Sequence, residues 1–285
     1  MVAPFGDEPA LAVPSRDGTP IAVFAGGAGP GTPVLLIHGT ASDHRTWRVV
    51  APALARGRRV FAMDRRGRGA SGDAPRYVVE RELEDVAAVA DAISDRVGDT
   101  IVVIGHSLGG RLALPASRRS AAIRGVVAYE SAPLRGDAPE GRDTERLIAD
   151  LRRDLDRGAN DALLARFMTE AVGMPAADLE AFRTNPIWPA RAATAPTIVR
   201  ELDAAAHDPA IGFEALAGTT VPVLQLVGGA SAPWFRDGAA ALDGRLADGR
   251  LATIEDARHA AHHSHPDAFL AAALNFADGL PSGHA

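Results

Sequence analysis

Ser107 lies in Gly105-His106-Ser107-Leu108-Gly109, directly after the apolar run Thr100-Ile101-Val102-Val103-Ile104 and directly before a helical stretch over 110–119. A buried strand that turns sharply into a helix at a glycine-flanked serine holds that serine on a strained corner, its hydroxyl above the sheet. Gly105 and Gly109 meet a steric need, because a side chain at either would clash with the neighbouring strand or helix. A hydroxyl placed this way becomes a nucleophile when a base takes its proton. The chain offers nine histidines, four of them clustered toward its end: His259, His262, His263 and His265. His259 falls between the last strand pattern (251–254) and the last helical pattern (from 266). That is the carboxyl end of a strand, where α/β sites assemble. A neutral imidazole there can take the serine proton and return it to a leaving group. His262, His263 and His265 read as polar residues at a helix start, with His265 near the N-cap before Pro266. Their spacing fits no regular ligand pattern, and no metal is expected.

An acyl-transfer oxyanion needs backbone N–H donors. The Leu108 amide, next after the nucleophile, is one. The other is expected from His38-Gly39-Thr40 after the strand pattern at 34–38, with Thr40 the first choice and Gly39 the second. His106 is read as packing beside the turn and facing the substrate.

These residues need elements to hold them. Short β-branched runs at 10–14, 21–25, 34–38, 60–63, 101–104, 125–129, 223–227 and 251–254 read as strands. Amphipathic stretches at 43–55, 79–97, 108–120, 233–246 and 266–277 read as helices. The alternation predicts a parallel sheet; the short 15–19 turn predicts an antiparallel hairpin at its edge. Between 132 and 221 the rhythm changes to helical patterns at 144–157, 161–172, 176–184 and 193–206, punctuated by Gly158, Gly173, Pro175, Pro186 and Pro189. The expected organisation is an α/β core over 1–132 and 216–285, with a helical cap over 133–215 inserted after strand 6. Leu164, Phe167, Met168, Val172 and Phe182 recur at helical spacing. Most should pack the cap onto the core, and Phe167 and Met168 are expected to line an apolar pocket.

Composition narrows the function classes. The 285 residues, 47% hydrophobic and 23% charged, suffice for one large α/β core with an insertion. A net charge of −6 leaves no footprint for nucleic acid or anionic membrane. All 30 basic residues are arginine, scattered among acids as on solvated helix faces. With no cysteine, disulfides, thiolate metal sites and a cysteine nucleophile are excluded. Residues 1–18 carry no basic and apolar signal pattern, and no apolar run approaches a membrane span, so a cytoplasmic protein is expected. Asp64-Arg65-Arg66-Gly67 lacks the Gly-Lys-Ser/Thr of a phosphate loop, and no cofactor is expected.

Leu36-Ile37-His38-Gly39, Asp64-Arg65-Arg66-Gly67-Arg68-Gly69-Ala70-Ser71-Gly72, Gly105-His106-Ser107-Leu108-Gly109-Gly110 and Arg258-His259…His265-Pro266-Asp267-Ala268-Phe269 occur in the order found in capped α/β-hydrolases. The chain resembles that family over nearly its whole length, least in the cap. The resemblance implies an α/β-hydrolase fold: a mostly parallel eight-stranded sheet flanked by helices, the cap after strand 6. Many relatives carry an aspartate soon after the penultimate strand. Here the place reads Val227-Gly228-Gly229-Ala230-Ser231-Ala232-Pro233, without a carboxylate. Asp237 falls inside the next helical pattern. Glu130, at the end of the strand before the cap, stands where a subset of the family has a glutamate. The expected triad is therefore Ser107, His259 and Glu130.

Glutamate at that point resembles the zearalenone lactonases, as do Asn185-Pro186-Ile187-Trp188 and Ser264-His265-Pro266-Asp267. That resemblance implies Trp188 as a substrate contact. The reading is a cofactor-free serine hydrolase of an ester or lactone of a hydrophobic small molecule, with a macrolactone among the substrates to test and a homodimer as the assembly to test. The same triad would serve a C–C bond hydrolase, a lyase or a cyclase, and the fold also serves as a small-molecule receptor.

Overall fold

The apolar run Val34-Leu35-Leu36-Ile37 is buried on both faces, and its alternation divides the molecule into layers. Leu35 and Ile37 join one core cluster; Val34 and Leu36 join another on the opposite face. The computed structural model describes residues 5–131 and 143–281. Its strands are β1 (Leu11–Pro14), β2 (Pro20–Gly26), β3 (Gly31–Ile37), β4 (Arg58–Met63), β5 (Ile101–His106), β6 (Ile123–Tyr129), β7 (Val223–Gly228) and β8 (Gly249–Ile254). They form one eight-stranded sheet in the order β1-β2-β4-β3-β5-β6-β7-β8. β1 and β2 form the expected antiparallel hairpin, β2 pairs antiparallel with β4, and the remaining ladders are parallel.

One face of the sheet carries α2 (Val79–Val97) and α3 (Leu108–Ala116), through Leu83, Val86 and Leu112. α1 (Ala51–Leu54) and α12 (Pro266–Gly279) cover the other, through Leu54, Phe269 and Phe276. The expected helix over 43–55 is two pieces: a 3-10 turn, His44–Trp47, and the four-residue α1. Pro52 gives the reason, since its ring cannot extend a helix back through residue 48.

Between β6 and β7 come α4 (Thr144–Asp156), α5 (Asn160–Arg166), a π turn at Phe167–Ala171, α6 (Ala176–Arg183), α7 (Trp188–Ala192), α8 (Ala195–His207) and α9 (Phe213–Ala217). The expected start of the insertion at 133 lies outside the described residues. Its expected end at 215 falls inside α9, whose Leu216 belongs to the core beneath the sheet. These helices share a small apolar cluster of Leu147, Leu151, Leu163, Leu164, Phe167, Trp188 and Ile198, which also takes in Ala41 from the loop after β3. α10 (Pro233–Asp243) and α11 (Ala261–Ser264) complete the chain. Among the described residues no helix is long and apolar enough to cross a membrane.

Candidate active site

β5 ends at His106, and Ser107 takes φ 53° and ψ −123°, outside the regions an L-residue prefers. The corner is held by packing. The Ser107 N–H donates to the Tyr129 carbonyl at 2.8 Å, the last rung toward β6. A Cβ on Gly105 would fall onto the Gly110 backbone, and one on Gly109 onto the carbonyls of Ile37 and His38. Gly105→Ala should therefore destabilise the fold by at least about 3 kcal/mol, read as thermal denaturation. An unchanged melting curve would show that the β5–α3 corner can open.

Glu130 follows β6 at φ 49° and is buried. Both its carboxylate oxygens are used. Oε1 accepts from the Gly228 N–H at 2.7 Å, and Oε2 from His259 Nδ1 at 2.6 Å. A carboxylate only accepts, so the His259 proton sits on Nδ1 and Nε2 is left with its lone pair. The His259 ring stacks on Phe235, centroids 4.4 Å apart and planes 20° apart. The His259 carbonyl accepts from His106 Nε2 at 2.6 Å. Burial, with His259 close by, pushes the His106 imidazole well below its usual range, so His106 is a neutral brace for the His259 loop.

The loop after β3 is fixed by His38. Its Nδ1 donates to the Gly39 carbonyl at 2.8 Å, and its Nε2 accepts from the Arg65 N–H at 3.0 Å. Burial lowers its pKa to about 4, keeping it neutral. Gly39 matters because a Cβ there would lie 3.0 Å from Ser107 Cβ. Thr40 comes next, and Leu108 opens α3, where helix geometry leaves an amide without an internal partner.

Thr40, His106, Ser107, His259, Phe167 and Met168 all line one cavity of about 540 Å³. Phe167 and Met168 reach it from the π turn, an element often found at sites. Trp188 is not among the lining residues. It is 4% exposed in the core of the insertion, with Nε1 donating to Asp161 Oδ1 at 2.5 Å. Phe182, which meets Trp188 edge to face, lines the cavity in its place. Ser231, where many relatives carry the aspartate, is buried beside the same cavity, and Asp237 is exposed on α10. His262 differs from the expected helix-start polar residue: it is 1% exposed, packed on Trp47 and within 3.2 Å of Thr46 Oγ1. Arg191, Arg48 and Phe235 carry no sequence signal, since only the folding of α7, the 3-10 turn and α10 toward one another brings them here.

Asp43, His44 and Asp64 are close enough to hold a cation. Their atoms are already engaged, however. Asp64 Oδ1 accepts from His44 N and Nδ1 at 2.8 Å each and its Oδ2 from Ala70 N at 2.9 Å, while Arg45 chelates Asp43. That set braces the loops after β3 and β4.

The alpha/beta hydrolase family profile matches residues 34–273. A pimeloyl-[acyl-carrier protein] methyl ester esterase of Neisseria meningitidis is 30% identical over 260 residues, 88% of this chain and 79% of that one. A 2-hydroxymuconate semialdehyde hydrolase of a Pseudomonas species is 34% identical over 145 residues, 47% of this chain and 50% of the relative. The crystal structure of an alpha/beta hydrolase from Sphaerobacter thermophilus superposes with a TM-score of 0.78 at 33% identity, covering 93% of this chain and 99% of that one. Matches of that extent, on a sheet of this order, make the chain a member of the alpha/beta hydrolase family.

Proposed function

We propose that the protein is a cofactor-free serine hydrolase that cleaves a carboxylic ester or lactone of a small, largely apolar molecule. The observation that carries this reading is His259, held by a Glu130 that uses both carboxylate oxygens, on the same cavity as a serine held at positive φ. Ser107 Oγ attacks the carbonyl while His259 Nε2 takes its proton. Glu130 stabilises the imidazolium that forms. The Thr40 and Leu108 amides receive the oxyanion, a contribution of about 3–4 kcal/mol per donor. His259 then protonates the leaving alkoxide and activates the water that hydrolyses the acyl-enzyme. The cavity volume fits a small-molecule site, whose usual range is about 300–1,000 Å³. The esterase among the relatives supports an ester as the first class to test.

A C–C bond hydrolase using the same three residues is the second reading, favoured by the likeness to the semialdehyde hydrolase. Purified protein and Ser107→Ala should be screened on aryl esters of graded chain length, simple lactones, resorcylic macrolactones and a vinylogous 1,5-diketone. Ester or lactone turnover that disappears in Ser107→Ala is the expected result. Turnover of the diketone alone would transfer the assignment to C–C cleavage. Activity that survives Ser107→Ala would remove the serine mechanism.

A further inference from the structure

Arg191, on α7, reaches the cavity that holds Ser107. Among the described residues it makes no ion pair and no side-chain hydrogen bond, and its Nε is fully buried without a partner. Its guanidinium lies 5.3 Å from the Phe182 ring centroid, which supports the planar group without satisfying its donors. Arg48, exposed just beyond the 3-10 turn, lines the same cavity and makes no ion pair among the described residues; its one side-chain hydrogen bond is a long 3.5 Å contact to the Arg45 carbonyl.

Neighbouring acids do not neutralise this pair. Asp43, the carboxylate nearest in effect to Arg191, is held by Arg45 through both oxygens. Asp178 lies 3.8 Å from Arg258, and Asp256 is exposed in the turn after β8. Burial, opposed by Asp43 and reinforced by Arg48, lowers the Arg191 pKa to about 10, and it remains a cation at neutral pH. His263, on α11 and lining the same cavity, is held neutral at a pKa of about 4 by burial and then by both arginines. Arg191 is half-buried with its Nε shut off from water and unpartnered, and a cation so placed favours an anion brought by the ligand.

We infer that Arg191, assisted by Arg48, is a carboxylate-binding subsite of the Ser107 cavity, so that the preferred ester or lactone carries a second, free carboxylate. This rests on the hydrolase reading above and gives it a substrate class: an amphiphilic acid whose chain lies along Phe167 and Met168. The planar fork of a guanidinium matches a carboxylate through two parallel hydrogen bonds.

The test reads binding, not turnover, and so stands apart from the hydrolase assignment. Hexanoate and hexanamide are titrated calorimetrically into Ser107→Ala protein near neutral pH, then into the same protein carrying Arg191→Gln or Arg191→Lys. Hexanoate should bind at least about tenfold more tightly than hexanamide. Arg191→Gln should erase that preference and Arg191→Lys should keep part of it. Equal binding of the two probes would overturn the proposal. So would a carboxylate preference that persists in Arg191→Gln, since the anion would then sit in the oxyanion hole. Arg191→Gln should melt no lower than its parent, because no ion pair is lost. A fall of more than about 5 °C would make Arg191 structural and would also overturn the assignment.

Discussion

Replacing Glu130 by glutamine should lower kcat by about 10³–10⁴-fold with little change in KM, because the substitution imposes the wrong histidine tautomer. Glu130 supplies two acceptors to two donors, Gly228 N–H and His259 Nδ1–H. Glutamine has one carbonyl oxygen. If that oxygen serves Gly228, the amide NH₂ faces Nδ1, which must become the acceptor. The proton then moves to Nε2, where it blocks abstraction from Ser107. If the oxygen serves His259 instead, Gly228 N–H faces an NH₂ and is left unpaired in a buried place, a penalty of about 1–3 kcal/mol. Steady-state kinetics on the best substrate of the screen, with a melting curve to confirm the fold, decides the matter. Asp237→Asn, on an exposed position of α10, should stay within about twofold of the parent. An inactive Asp237→Asn beside an active Glu130→Gln would exchange their roles.

The second large effect is on stability. Glu201→Ala should destabilise the protein by about 3–5 kcal/mol and lower the melting temperature by about 10 °C. Glu201 projects from α8 of the insertion and is fully buried. Its Oε1 accepts from Arg65 at 3.0 Å and from Arg68 at 2.8 Å. Arg65 keeps a bidentate pair to Glu82 at 3.0 and 2.5 Å when Glu201 is removed. Arg68 has no other ion pair among the described residues and becomes a lone buried cation.

Burial by itself would raise the Glu201 pKa, but Arg65 and Arg68 outweigh it and hold the carboxyl below its ordinary 4.5. A carboxylate whose folded pKa is depressed stabilises the fold above the unfolded value, and the contribution fades as pH falls through the folded value. The gap in stability between the parent and Glu201→Ala should therefore be full at pH 6–7 and narrow below about pH 4.5. Denaturant titrations across that range check it. A gap independent of pH would mean that α8 is held by packing and not by charge.

The elements that carry the site were legible because each is written locally. Val34-Leu35-Leu36-Ile37 and Ile101-Val102-Val103-Ile104 are short runs, apolar at every position and with β-branched residues among them, as a strand buried on both faces requires. Ser107 was legible for the same reason: strand, glycine, serine, glycine and helix follow one another within a dozen residues, and each glycine answers a contact found at that corner. Glu130 was reached through an empty place in the resemblance, and the carboxylate does meet His259 although they stand far apart in sequence. The break at Pro52 was written in the chain as well, but it was outweighed by the surrounding apolar pattern.

What the chain did not disclose is the lining of the insertion. Trp188, Phe182 and Arg191 lie within ten residues of one another on short helices, and periodicity cannot say which of them turns toward Ser107. Tertiary packing sends Trp188 inward to Asp161 and leaves Phe182 and Arg191 on the cavity. The stacking of Phe235 on His259 and the seat of Glu201 between two arginines were equally hidden. The sequence by itself determined the sheet and the strained serine corner, because short-range sterics and burial patterns dictate them. The three-dimensional fold alone decided which residues between β6 and β7 line the cavity, because that depends on how short helices dock on one another and on the sheet.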